Sequence, residues 1–236
     1  MKMKYIGILT ILFISVISGQ DEGVMQRLIY EFPISRPAYS PLKNEIEVAP
    51  RINYWGDISA GIDLEYALSK NLIVEAGISY SKEGAALPLY VQEPGIEAGL
   101  YYTFASSSSF TLTAGLESGY PFSKPGFSES EISFEPILIG ATTIGSFQFH
   151  CAAGGEFEEG KFNPTFYIAS ILNRPGIRPF IQVTSRQRSN AIVIAPGLSL
   201  PFSDDLQLGI GVPVITGKKP AAGIILFLAI EIGDDN

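Results

Sequence analysis

One cysteine, Cys151, and one histidine, His150, are all that this chain of 236 residues carries of either type. A single thiol excludes an intrachain disulfide and any metal site built from several cysteines. Charge is scarce too. Only 17% of the residues are Asp, Glu, Lys or Arg, and acids outnumber bases 24 to 16. A formal net charge of −8 argues against nucleic acid as a partner. Beyond residue 20 no stretch approaches the roughly twenty consecutive apolar residues of a membrane helix. A membrane protein of this sequence would have to cross by strands. No phosphate loop, zinc spacing or dinucleotide fingerprint is present, and no cofactor is expected.

Residues 1–20, MKMKYIGILTILFISVISGQ, have the form of a cleaved secretory leader. Lys2 and Lys4 precede an apolar core from Tyr5 to Ile17, and small Ser18 and Gly19 follow. No cysteine stands after that core, so it is not a lipoprotein leader. Cleavage would remove two lysines and no acid, moving the formal charge from −8 to −10. Residues 21–43 do not alternate. Pro33, Pro37 and Pro41 forbid a regular element there, beyond one short helical turn at Val24 to Tyr30. This segment reads as a tether, with a plug or a periplasmic partner site as alternatives.

What the chain has in quantity is period-two alternation. Residues 57–80, DISAGIDLEYALSKNLIVEAGISY, set Ile58, Ala60, Ile62, Leu64 and Tyr66 on one face of a run. Ser59, Gly61, Asp63 and Glu65 take the other. After SKNL the pattern returns, with Leu72, Val74, Ala76, Ile78 and Tyr80 against Glu75, Gly77 and Ser79. This is an antiparallel hairpin. Twelve such runs follow one another from Asn44, at 44–55, 57–67, 72–82, 92–104, 110–120, 131–143, 147–157, 162–172, 177–188, 191–202, 206–215 and 222–232. Most have the roughly ten-residue length of a tilted membrane strand. The sixth, eighth and twelfth alternate least well, and the twelfth, AGIILFLAIEI, is apolar on both faces.

The connections LSKN, ASSSS, IGS, NRPG and SDD are short. EGAALPLYVQE, PFSKPGFSESE, EEGK and TGKKPAA, on the other side, read as longer. Short turns at one end and longer loops at the other are the habit of outer-membrane barrels. Lys124, Lys218 and Lys219 read as solvated loop tips. On the apolar face Tyr66, Phe104, Phe110, Phe147 and Phe202 stand beside short turns. Tyr80, Tyr120, Phe134 and Phe162 stand toward the other ends, with aliphatic residues between. Two aromatic belts around an aliphatic band match the two interfaces of a bilayer. The expected fold is all-β: a closed antiparallel up-and-down transmembrane β-barrel of about 12 strands over residues 44–233. Closure follows because lipid satisfies no backbone group.

The stretches AGIDLEYALSKNLIVEAGISY and PGLSLPFSDDLQLGIGVPV resemble hairpins of the outer-membrane transporter-like β-barrels of the phenol-degradation meta-pathway family. There a polar turn is followed by an NL-x-L-x-x-G strand. The resemblance covers roughly Asn44 to Ile232. It implies a barrel in the outer membrane of a Gram-negative bacterium, with a transport role and no catalytic residues. Many such barrels end on an aromatic residue that the barrel assembly machinery reads, whereas this sequence ends EIGDDN.

The polar face carries Glu47, Asp63, Glu65, Glu75, Glu97, Glu117, Glu135 and Glu156 from the first seven runs. Arg51, Arg178, Arg186 and Arg188 oppose them. Two readings weigh about equally: a lumen whose charge sets selectivity toward cations or polar solutes, and a lumen plugged by pairing of acids with arginines. His150 has lumen parity beside Gln148 and Ala152. A catalytic or metal role for it is the weaker alternative to a plain interior residue. Cys151 has the outward parity of Phe147 and Phe149 and reads as a small apolar residue. The expected function is passive passage of a small solute through a barrel set in outer-membrane lipid, without enzymatic activity. Two alternatives are a closed non-conducting barrel with a structural or surface role, and a soluble secreted β-barrel holding an apolar ligand.

Overall fold

The computed structural model of the chain describes residues 44–55, 58–81, 95–107, 109–122, 132–158, 160–186, 191–203, 205–216 and 220–233. The expected leader, the segment 21–43, Lys124, Lys218, Lys219 and Arg188 lie outside the described residues. The strands are β1 (Ile46–Tyr54), β2 (Ile58–Ser69), β3 (Leu72–Ser81), β4 (Gly95–Ser106), β5 (Phe110–Pro121), β6 (Ser133–Ile144) and β7 (Phe147–Glu158). They continue as β8 (Lys161–Leu172), β9 (Arg178–Arg186), β10 (Ala191–Pro201), β11 (Leu206–Gly211), β12 (Val214–Thr216), β13 (Ala221–Ala222) and β14 (Ile224–Ile232). Each neighbouring pair is antiparallel, and β1 pairs with β14, which closes the ring.

The fourteen strands make a barrel of twelve staves. Strands β11 and β12 both pair with β10 and are two halves of one stave, broken at Val212 and Pro213. Strands β13 and β14 are likewise one stave, broken at Gly223. Pro213 has no N–H to give the ladder. Its carbonyl still accepts from Gly223 N at 2.9 Å, and Pro196 O accepts from Val212 N at 2.9 Å, so pairing continues past the break. A β-carbon on Gly223 would stand 2.6 Å from the Trp55 ring, which explains a glycine at this point.

Alternation forms the staves, and turn chemistry joins them. Gly145 (φ 60°) and Gly160 (φ 72°) take up the left-handed conformation that a tight hairpin requires and a β-carbon resists. This corrects one expectation from the sequence. EEGK is no long loop, because β7 runs to Glu158 and β8 begins at Lys161. The long connections on that side are those after β3 and β5, so the asymmetry between the barrel ends is narrower than the sequence implies.

The outer surface is apolar around the whole ring. Ile58 and Ile168 are more than 60% exposed, and Leu64, Leu100, Leu116, Ile181, Leu198 and Leu226 are exposed beside them. A continuous apolar surface of this extent suits lipid and not water. Tyr80, Phe104, Tyr120, Phe134, Phe147, Phe162 and Phe202 are exposed on it, and Tyr66 and Phe110 are half-buried there. Phe166, midway along β8, is 56% exposed, so the band between the aromatics is not purely aliphatic.

The inner surface is not uniform. Polar side chains fill it along β1 to β5. Along β6 to β10 and β14 it is mixed, with Ile139, Ala141, Ala169, Ile171, Val193, Ala195, Ile225 and Ala229 buried beside Gln148, His150, Thr165, Gln182, Thr184 and Ser199. Apolar side chains thus enter an interior that the sequence reads as polar. The physical reason is that side chains meeting across a narrow lumen are solvated by one another as well as by water.

Candidate functional site: a glutamate row beside an apolar wall

The register of the barrel assembles what the sequence scatters. Glu231 lies opposite Glu47, Glu47 opposite Glu65, and Glu65 opposite Glu75. Glu75 lies opposite Gly99, Gly99 opposite Glu117, and Glu117 opposite Glu135. The β6–β7 register, with Phe134 opposite Phe157 and Ile137 opposite Gly154, brings Glu156 next in line. One transverse row of the inner wall is thus glutamate from β14 through β1 to β7, with a single glycine in it.

The glycine has a reason. A β-carbon on Gly99 would stand 2.8 Å from Glu75 Oε2 and 2.9 Å from the Tyr101 hydroxyl. That hydroxyl donates to Glu117 Oε1 at 2.6 Å. Gly115 lies beneath the Tyr101 ring, where any side chain would displace it. Two glycines let one tyrosine lie along the wall and bring its hydroxyl between two carboxylates of the row.

A second row adjoins the first. Ala49 lies opposite Asp63, Asp63 opposite Gly77, Gly77 opposite Glu97, and Glu97 opposite Gly119. Arg51 Nη2 donates to Asp63 Oδ2 in an ion pair on this wall. Glu47, Asp63, Glu65 and Glu75 are buried, while Glu97, Glu117, Glu135 and Glu156 are half-buried.

Carboxylates directly opposite one another on neighbouring strands repel, and burial of a carboxylate costs more still. Glu47, Glu65, Glu75, Glu117, Glu135 and Glu231 each keep an interaction that offsets part of this cost, and the row gives the wall a negative potential, focused between low-dielectric walls. Such a surface draws cations in and turns anions away.

The candidate arginines are spread apart. Arg51 sits among the acids. Arg178 has interior parity at the short-turn end, where its Nε donates to Arg174 O at 3.1 Å. Arg186 is at the opposite end of β9, its backbone opposite Thr165 and Ala191. His150 is buried inside, and Cys151 is outward and half-buried. Among the described residues no group of three or more His, Cys, Asp or Glu is placed to hold a metal ion.

Sequence reading missed the aromatic part of the interior. Phe180 and Phe227 lie with ring centroids 6.1 Å apart, although β10 and β11 separate their strands in the ring. Phe180 covers Gly197, and Phe227 covers Gly209. The available signal was glycine at inward positions of β10 and β11, since an aromatic can lie along the wall only where no side chain stands. Glu231 was also missed, because it closes a strand that reads as apolar on both faces.

No family model matches this chain, and no curated protein matches it. Solved structures do match in fold. A KdgM porin superposes with a TM-score of 0.63 at 9% identity, over 79% of this chain and 99% of its own. A NanC porin gives 0.60 at 7% identity, over 78% of this chain and 100% of its own. An outer-membrane channel from Pseudomonas putida F1 gives 0.55 at 11% identity, over 91% of this chain and 100% of its own. What the chain shares with them is the closed antiparallel barrel of twelve staves, the architecture of porin-like outer-membrane proteins.

Proposed function

We propose that the protein is an outer-membrane channel for passive passage of small solutes, with a preference for cations. The observation that carries this reading is the glutamate row on the inside of a closed barrel whose outside is apolar. The porin and channel names of its structural neighbours support it. A KdgM porin has been solved with oligogalacturonate, a polyanion. A row of carboxylates would repel such a solute. In this reading the chain is exported by its leader, folded by the barrel assembly machinery and held in the bacterial outer membrane. The hairpin resemblance to the meta-pathway family belongs to the same proposal. No step of it requires a catalytic residue.

The test is conductance. The purified protein, folded in detergent and placed in a planar bilayer under a KCl gradient, is expected to give discrete steps with a cation-selective reversal potential. Replacing Glu75 and Glu117 by Gln should move that potential toward zero, with the remaining acids keeping part of the preference. Anion-selective steps, or a reversal potential unmoved by the replacement, would refute the assignment. The near-complete burial of Val193, Ala195 and Ala229 favours a second reading, a closed barrel without conductance. A folded barrel that never gives steps would select it.

A further inference from the structure

The largest inward rings lie along the wall and do not span the lumen. Tyr101 lies over Gly115, Phe180 over Gly197 and Phe227 over Gly209. A ring laid flat on a wall turns one face to the centre. Tyr101, Phe180 and Phe227 are nonetheless 5% exposed or less, and so are short inward residues all round the barrel: Ser59, Thr111, Ala169, Ala195 and Ala229. Twelve staves about 4.8 Å apart and tilted about 40° enclose a ring about 24 Å across between backbones. Alanine, serine and threonine reach only about 2–3 Å from their Cα atoms, so they cannot cover one another over that width.

The acids mark the side from which a cover enters. Glu45, Glu47, Asp63, Glu65 and Glu75, at the start of β1 and on its neighbours β2 and β3, are buried. Glu97, Glu117, Glu135 and Glu156, farther round the ring, are half-buried. Glu45 stands at the rim before β1 begins, where a glutamate beside an open mouth would be wet. Asn44 N donates to Ala67 O at 2.8 Å, which anchors this point at the short-turn end of the barrel. With φ 67°, Asn44 turns the chain off the line of β1. Carboxylates this buried call for cations. Among the described residues the cation set between them is Arg51, and Asp63 takes it.

The chain leading into Asn44 has the charge and the length required. Residues 32–43 carry Arg36 and Lys43 and no acid. Eight residues separate Arg36 from Asn44, about 26 Å of extended chain, which matches the roughly 25 Å height of a barrel's apolar band. Pro33, Pro37 and Pro41 bring no N–H, so fewer backbone donors need partners in a closed lumen.

We propose that residues 21–43 occupy the lumen as a plug that enters from the short-turn end, with Arg36 and Lys43 set against the buried acids of β1 to β3. The inner wall is then a docking surface for the chain's own N-terminal segment. As regulation the inference rests on the channel reading: the conducting steps are the intervals in which the segment has left the lumen. The placement itself does not depend on conductance.

The test is protection of a thiol in the segment. Ser35→Cys is made in the full chain with Cys151→Ser, and the protein is folded in detergent and checked by heat-modifiable mobility. The probe is a polyethylene-glycol maleimide too bulky to enter the barrel. The thiol is expected to react at least about tenfold more slowly in the folded protein than in urea. Adding Arg36→Glu and Lys43→Glu should bring the folded rate close to the rate of the same variant in urea. Arg36→Lys with Lys43→Arg should keep the protection. Rapid reaction in the folded parent overturns the placement, and protection that survives charge reversal overturns the pairing with the acids. In a planar bilayer the charge-reversed protein should stay open longer than the parent, and equal open times overturn the regulatory role. If neither gives steps, the channel reading fails, while the thiol rates still decide where the segment lies.

Discussion

The two halves of the inner wall differ in how far apolar side chains enter them. Along β1 to β5 the interior is chiefly carboxylates, hydroxyls and glycines. Along β8 to β10 and β14 Ile171, Phe180, Val193, Ala195, Ile225, Phe227 and Ala229 stand among Thr165, Gln182, Thr184 and Ser199. Outside, no such division exists, and exposed Ile and Leu recur from β1 to β14. One solvent surrounds the barrel, so one rule governs every outward position. The inward positions answer to whatever stands beside and across from them. An acidic strip can then sit next to an apolar one inside a single closed sheet.

The sharpest way to break this contrast is to exchange the chemistry of the walls. Val193 is fully buried in the apolar wall. Val193→Glu should destabilise the barrel by about 3–5 kcal/mol, because it buries a charge without a partner. Heat-modifiable mobility in gels and the urea midpoint of unfolding would show it, and a midpoint equal to wild type would refute the division of the walls. Arg51→Ala removes the cation paired with Asp63 and should cost about 3 kcal/mol, with a shift of reversal potential further to the cation side. An unchanged reversal potential would mean that Arg51 does not face the conducting path.

Smaller effects test how the acidic wall is built. Gly115→Val should displace the Tyr101 ring and cost about 1–3 kcal/mol, read by chemical unfolding. A neutral result would remove the reason given for that glycine. Glu65→Gln, in the middle of the row, removes one charge from between Glu47 and Glu75 and should move the reversal potential part of the way toward zero with a small change in the urea midpoint. An unmoved reversal potential would show that Glu65 does not face the conducting path.

Much of the barrel was legible in the chain. The run 57–67 became β2 (Ile58–Ser69) and the run 72–82 became β3 (Leu72–Ser81), because period-two alternation at a lipid-facing surface leaves little room for another reading. Weak alternation in the sixth, eighth and twelfth runs was a true sign as well. Those strands turn apolar residues inward, such as Ile139, Ile171 and Phe227. The break at Pro213 was missed because one proline inside an alternating run changes pairing without changing parity. EEGK was read as a loop because its charge hides a glycine at positive φ.

The acids of the candidate site were legible one at a time as inward residues of separate strands. Their alignment was not, since a shift of two residues in any pairing keeps every side chain on its face and moves each glutamate out of line. By itself, the sequence determined which residues face outward, how many staves there are and that the sheet must close, because those follow from local alternation and from the inability of lipid to satisfy a backbone. Only the tertiary structure decided that Glu231, Glu47, Glu65, Glu75, Glu117 and Glu135 form one row, and that Phe180 and Phe227 meet across two intervening strands. Those are matters of register and closure, set by the whole ring at once and by no single stretch of chain.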